Sequence, residues 1–369
     1  MSSRSERLVF EPAGPADSPE ILEILEDIDF KGKISLTFTR RPDPYASLQK
    51  EGRQVDVIGC RDRRTGRLMG VAASAINSMF LNGEPADIGY VFGLRVRKEY
   101  RRKTLILPRG FQYLFSLHQG INLPFYLTTI LEENTAAQRL LEKRRPRMPV
   151  YQYFGDYETY ALATGKRAPG VGNFRFRAAG KSDVGALAAF LRTQGRRFQF
   201  FPVLGEADLD DPDATLSFRD FHLLLDPRGE IAAAGAVWDQ RAYKQYVLSR
   251  YGGIYRLLYP FSFLFPVFGY PGLAKPGSVL NFFTLSFWAV RDDDPEIFDL
   301  FVRLIAGITR SFSYFVLGVD ARHPLRNRLR RKPHLVYKAR MYVVHKQEDE
   351  PLVRGLDRSR VPYLEIGRL

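Results

Sequence analysis

Cysteine is all but missing from these 369 residues: Cys60 stands alone. A lone thiol excludes an internal disulfide, and the five histidines, His118, His222, His323, His334 and His345, show no paired spacing that would make a zinc site. Cys60 sits in Val55–Arg61, which reads as a buried strand, so an inert core thiol is expected. No phosphate loop ending in Gly-Lys-Ser/Thr is present, the serines lack a nucleophile elbow, and Gly170-Val171-Gly172 is only a fragment of a dinucleotide fingerprint. Uninterrupted hydrophobic runs are missing too. The longest, Ile254–Leu273, contains Arg256, Pro260, Pro266 and Pro271, which excludes a spanning helix of about 20 apolar residues. It is expected to be an aromatic insertion packed on a second domain or lining a pocket, with a lipid-docking surface as the lesser alternative. Met1–Pro12 has no apolar core before a small-residue cleavage site, so a cytoplasmic protein is expected. Acidic charge is in deficit, 41 Asp and Glu against 55 Lys and Arg. The resulting +14 favours a polyanionic partner without choosing among a phosphorylated small molecule, nucleic acid and an anionic membrane face.

What is there concentrates between Tyr90 and Lys143. The pattern predicts a strand over Tyr90–Val96, a basic turn over Arg97–Thr104, a helix over Leu107–Gln119, a strand over Phe125–Ile130 and an Asn-led helix over Asn134–Lys143. Cationic side chains and unpaired backbone amides then meet at a helix mouth, where the macrodipole favours a phosphate group. Pro108 suits a first helical turn, because its missing N–H is not needed there.

The string Val96-Arg97-Lys98-Glu99-Tyr100-Arg101-Arg102-Lys103-Thr104-Leu105-Ile106 resembles the core motif of the GNAT acyltransferase superfamily, whose members move an acyl group from acyl coenzyme A to an amine. Arg101 matches that motif. Its two glycine positions are occupied by Thr104 and Ile106. A second motif, a helix opened by Asn, is matched at Asn134, Thr135, Ala136 and Ala137, whereas the tyrosine common in the family is replaced by Leu141. The resemblance implies an acetyl-CoA site in which Arg101, Arg102 and Lys103 hold the phosphates and the amides from Arg102 through Thr104 and Leu105 to Ile106 line the turn. Backbone groups of Leu94, Arg95 and Val96 would pair with pantetheine, and Asn134 would contact the cofactor while capping its helix. Gly93 would mark a bulge that parts this strand from its neighbour.

The same order of elements recurs, as a repeat of structure more than of residues. Half one is predicted as Leu8–Glu11 strand, Ser18–Asp29 and Pro44–Glu51 helices, and strands over Gln54–Asp62 and Leu68–Ser78. Half two follows with strands over Asp220–Asp226 and Ile231–Trp238, a strand near Val279–Ala289, a helix over Pro295–Phe312 and a closing strand over Val336–Val344. The expected fold is α/β (α+β), two GNAT-like domains that are each a mixed, mostly antiparallel twisted sheet flanked by helices. The domains are residues 1–163 with the acyl-CoA site, a linker over 164–173, and 174–347 with the aromatic insertion near 241–276; 348–369 follow as a tail. The second phosphate turn carries Asp292, Asp293 and Asp294, whose charge would repel a pyrophosphate.

For acid–base work the candidates are Tyr90 on the strand before the turn, as base, and Tyr153 or Tyr151 after the Asn-led helix, as acid. Glu84 and Asp87 flank Pro85 beside Asn82-Gly83 and are expected to be hairpin-turn residues. The function so read is N-acetyl transfer to a primary amine of a small molecule or peptide, by direct attack in a ternary complex, without a metal. The alternative is a catalytically inactive GNAT-fold binding or scaffold protein. Nucleic-acid binding through Arg139, Lys143, Arg144, Arg145 and Arg147 and the patch Arg322–Lys332 is the weakest reading, since such clusters are usually solvated helix ends.

Overall fold

The computed structural model describes residues 7–27, 29–30, 34–101, 105–165 and 168–369. Half one runs β1 (Leu8–Pro12), α1 (Ser18–Glu26), β2 (Asp29–Phe30), β3 (Ile34–Thr39), α2 (Pro44–Leu48), β4 (Gln54–Asp62), β5 (Leu68–Leu81), β6 (Glu84–Val96), α3 (Ile106–Leu117), β7 (Tyr126–Leu131), α4 (Thr135–Leu141) and β8 (Val150–Ala163). Half two runs β9 (Arg175–Ala178), α5 (Val184–Gly195), α6 (Glu206–Asp210), β10 (Phe221–Leu225), β11 (Ile231–Trp238), β12 (Gln245–Tyr251), α7 (Ile254–Leu258), β13 (Phe282–Val290), α8 (Pro295–Ile308), β14 (Tyr314–Asp320), α9 (Arg326–Arg330), β15 (Leu335–His345) and α10 (Glu350–Arg354). The halves share one 12-stranded sheet in the order β1-β4-β5-β6-β7-β15-β8-β14-β13-β11-β10-β9. Each half hands its last strand to the other: β8 pairs with β14, and β15 pairs with β7. The two exchanged strands then pair with one another at the centre, from Leu335↔Ala161 to His345↔Val150.

Both faces of the half-one sheet are covered, and consecutive residues alternate between them. In β4, Val57 packs with Ile21, Ile24 and Leu25 of α1, while its neighbour Ile58 packs with Phe111 and Leu114 of α3. The α1 face also carries a second, small sheet, ordered β12-β3-β2, in which Leu36 of half one faces Leu248 of half two. Residues 348–369 are threaded inward, with Leu364 and Tyr363 buried and the Tyr157 hydroxyl donating to the Leu364 carbonyl at 2.5 Å. Among the described residues no helix is long and apolar enough to cross a membrane.

Three expectations are corrected. Asn82 and Gly83, with φ of 54° and 91°, complete a two-residue turn by themselves, so Leu81 already faces Glu84 and both Glu84 and Asp87 belong to β6. The segment near 241–276 is no uniform insertion, because its first part is β12, which joins the small sheet. Its aromatic part is not packed: α7 and the 3-10 run Tyr259–Phe268 bury none of their residues.

Candidate functional site

The central opening lies where β6 and β7 part. These parallel strands pair only at Gly89↔Tyr126 and Tyr90↔Leu127. Gly89 is required at this vertex, because a Cβ there would lie 2.2 Å from the Tyr126 ring. Just beyond it, the Thr128 hydroxyl donates to the Val91 carbonyl at 2.8 Å, and the Tyr90 hydroxyl meets Thr129 Oγ1 at 2.8 Å. The β6 register against β5 then shifts between Arg95 and Phe92, with Gly93 at φ 63°, so the bulge stands where the sequence placed it. Alanine at position 93 would hold that left-handed backbone at a cost of about 1 kcal/mol, measurable as a lower denaturation midpoint. Past the bulge, the carbonyls of Leu94 and Val96 lie two residues apart along the strand. They accept from Arg95 Nη1 at 3.0 Å and from Arg101 Nε at 3.1 Å, so arginine side chains occupy acceptors that an extended ligand would take.

Among the described residues no acidic side chain caps the helix mouth beside this opening. Leu105, the N-cap of α3, carries no acceptor and is exposed. Ile106, standing at a motif glycine position, turns inward against Leu8, Cys60 and Met69. Arg101 remains largely accessible, its Nη2 3.6 Å from Asp27. Arg102, Lys103 and Thr104 lie outside the described residues. The matching mouth in half two is closed from within: Asp294 accepts from the amides of Glu296 and Ile297 at the start of α8, and Asp293 pairs with Arg197 at 2.6 Å. Asn134 caps α4 by accepting from the Ala137 amide at 3.2 Å.

Between α3 and the sheet lies a narrow apolar cavity of about 50 Å³. Phe10, Ile58, Cys60, Gly110 and Phe111 line it, and its rim is Leu94–Val96 of the parted strand.

On the α1 face, under the small sheet, is a buried ionic centre that sequence reading missed. Glu51 Oε1 is bound by Arg40 Nη2 and lies 3.2 Å from Lys244 Nζ; Glu51 and Arg40 are each only 2% exposed. Lys244 also donates to the carbonyl oxygens of Gly367 and Leu369, at 3.1 and 2.7 Å. Glu51 Oε2 has no hydrogen-bond partner among the described residues. Burial would raise the Glu51 carboxyl, but Lys244 and Arg40 outweigh it and hold the group below its ordinary range, hence ionised. Burial, against the pull of Glu51, brings Lys244 down to about 8. The Arg40 guanidinium lies 5.0 Å over Phe38 and 5.9 Å over Phe92, and Phe92 stacks on Tyr90 at 6.0 Å, which links this centre to the strand opening. Arg40 follows a strand and precedes Pro42, and Glu51 ends a short polar turn. Neither carries a spacing signal, since their partner Lys244 lies in the other half of the chain.

Tyr90 and Tyr153 lie in different clusters. Tyr90 packs with Leu127, Phe154 and Met341. Tyr153 is exposed and meets the edge of Tyr342, which belongs with Tyr151 to the cluster under α3 and α4. Burial, reinforced by the Glu51 charge, pushes the Tyr90 hydroxyl well above its ordinary value, so it stays protonated at neutral pH. Burial and Asp156 bring Tyr153 up to about 12.

With its mixed sheet and its central parallel strands parting beside the start of α3, this chain has a GNAT-type fold. Over 92% of its length it matches Saccharomyces cerevisiae N-myristoyltransferase with bound myristoyl-CoA, at TM-score 0.59 and 10% identity, covering 82% of that chain. A second structure of the yeast enzyme matches at TM-score 0.59 and 11% identity, covering 92% of this chain and 79% of that one. A GCN5-related N-acetyltransferase from Kribbella flavida matches at TM-score 0.50 and 12% identity, covering 91% of this chain and 70% of that one. No family model and no curated protein matches the sequence.

Proposed function

We propose that the chain is an acyl-CoA-dependent N-acyltransferase, with acetyl-CoA as donor and a primary amine as acceptor. The observation that carries this is the parted β6–β7 pair lying beside a helix mouth that no side chain among the described residues caps, while the corresponding mouth in half two is filled by Asp294. Pantetheine would take the place of the arginine side chains on the Leu94 and Val96 carbonyls, and the pyrophosphate would sit at the start of α3 with Arg101. On this reading residues 1–163 hold the donor, and residues 174–347 support it and wall the acceptor chamber. Similarity to N-acyltransferases with this fold supports the reading.

The reaction is assigned as direct attack. The acceptor ammonium is held by the unpartnered Glu51 Oε2 and gives up its proton to that carboxylate, directly or through water. The amine nitrogen attacks the thioester carbonyl, a C–N bond forms and the C–S bond breaks; the Tyr90 hydroxyl protonates the departing thiolate, and its phenolate takes up the second nitrogen proton, which leaves a neutral amide and restores Tyr90. Low dielectric around Glu51 strengthens its hold on a cation.

Titration calorimetry with acetyl-CoA tests the donor site. Saturable binding is expected, weakened about tenfold in Arg101→Ala by loss of one charge-assisted phosphate contact. No heat with either protein would remove the proposal. A second reading is favoured by the cavity under α3: its apolar lining beside Leu94–Val96 suits a donor with a longer acyl tail. Competition between acetyl-CoA and a medium-chain acyl-CoA separates the two, the longer donor binding more tightly if its tail enters the cavity.

A further inference from the structure

We propose that the aromatic segment after β12 is a docking element for an anionic lipid surface, inserted at the level of the headgroups and not across the bilayer. The segment is a protrusion of α7 and the ten-residue 3-10 run that follows it, and none of its residues is buried. Its side chains are large and apolar: Val267 is 77% exposed, Phe263 71%, and Leu257 and Phe268 each 68%, with Phe261 beside them. Water-soluble proteins rarely present so many large apolar groups contiguously unless they meet a partner there.

The protrusion is built to hold its shape. Gly253 and Gly269, with φ of 53° and 79°, make the entering and leaving bends. Tyr259 stacks on Tyr251 at 5.2 Å, the Tyr251 hydroxyl donates to the Ala274 carbonyl at 2.9 Å, and Phe265 meets the edge of Tyr270 at 6.3 Å. These contacts fix the base and leave the tip apolar and uncovered.

Charge decides among the occupants. From Gln240 to Arg291 there is no Asp or Glu, while Arg250, Arg256 and Lys275 are exposed at or near the base of the protrusion. Among the described residues none of these three cations forms an ion pair. A second copy of this chain would bring the same cations against these, which is repulsive, whereas an anionic bilayer supplies both apolar depth for the tip and phosphates for the base. Pro260, Pro266 and the shortness of the helix exclude a spanning element.

The test is flotation of the full chain with vesicles of phosphatidylcholine alone and of phosphatidylcholine with phosphatidylglycerol. Binding is expected to the anionic vesicles and to fall as salt rises. A Phe263→Ser/Val267→Ser/Phe268→Ser variant, altered only at exposed positions and so keeping its melting temperature, is expected to bind them at least about tenfold more weakly. An Arg250→Gln/Arg256→Gln/Lys275→Gln variant is expected to lose the preference for phosphatidylglycerol. Absence of flotation with either vesicle, or equal flotation of the serine variant, would overturn the proposal. So would a dimer in sedimentation that the serine variant abolishes, since the patch would then belong to a second copy.

Discussion

Replacing Glu51 with glutamine is expected to lower kcat by about a hundred- to ten-thousand-fold, the range found when a positioned proton acceptor is removed. The substituted amide keeps the shape of the side chain and a carbonyl oxygen toward Arg40, but it neither attracts an ammonium nor accepts its proton. Because Arg40 and Lys244 would then face each other without an anion, a stability loss of about 3 kcal/mol should accompany the change. Rates must therefore be measured where a melt shows the variant folded. A Glu51→Asp variant keeps the charge and supplies the control: its kcat should lie between the two. If folded Glu51→Gln turned over at the native rate, Glu51 would be a structural counter-ion and the acceptor site would have to be sought elsewhere. Acyl-CoA binding should be unchanged in either variant, because Glu51 lies on the α1 face and the donor mouth is at the start of α3.

The elements around the proposed donor site were legible in the sequence because they are local. Strand, basic turn and helix follow one another within Tyr90–Leu117, and Asn134 and Gly93 carry their conformations in their own chemistry, one as a cap and one as a left-handed bulge. The buried ionic centre proposed as the acceptor side was not legible, because it is assembled from Arg40, Glu51 and Lys244, which no period connects. The alternation Ile34, Leu36, Phe38 would have announced β3, but nothing in it says that its partner is β12 of the other half. Strand exchange was hidden for the same reason. The apolar pattern of β8 and β15 specifies that they are strands with buried faces, and the choice of neighbour is made by long-range pairing. The aromatic segment misled in the opposite sense. Its composition looks like core, and only the three-dimensional context shows that none of its residues is buried.

Glu158 joins that exchange to stability, and its removal should be costly. It lies on β8, and its side chain is 5% exposed. Arg326, at the start of α9 in half two, grips it with two bonds of 2.7 and 2.6 Å, and the Tyr160 hydroxyl donates to it at 2.5 Å. Arg326 above all, then Tyr160, draw the carboxyl down from 4.5 to about 2 against the opposing effect of burial. That gap corresponds to about 3 kcal/mol of folding stability. The sign follows from the depressed value: the unfolded chain binds the proton more readily, so the contribution is complete above the unfolded pKa and disappears as pH falls through the folded one. Native protein should therefore lose this increment between about pH 5 and pH 2. Glu158→Gln should be about 3 kcal/mol less stable at pH 7, with a shallower dependence of unfolding free energy on pH across that window. Urea titrations at pH 7 and pH 3 measure both quantities. Equal pH slopes for the two proteins would show that the Glu158–Arg326 pair does not hold the exchanged strand against half two.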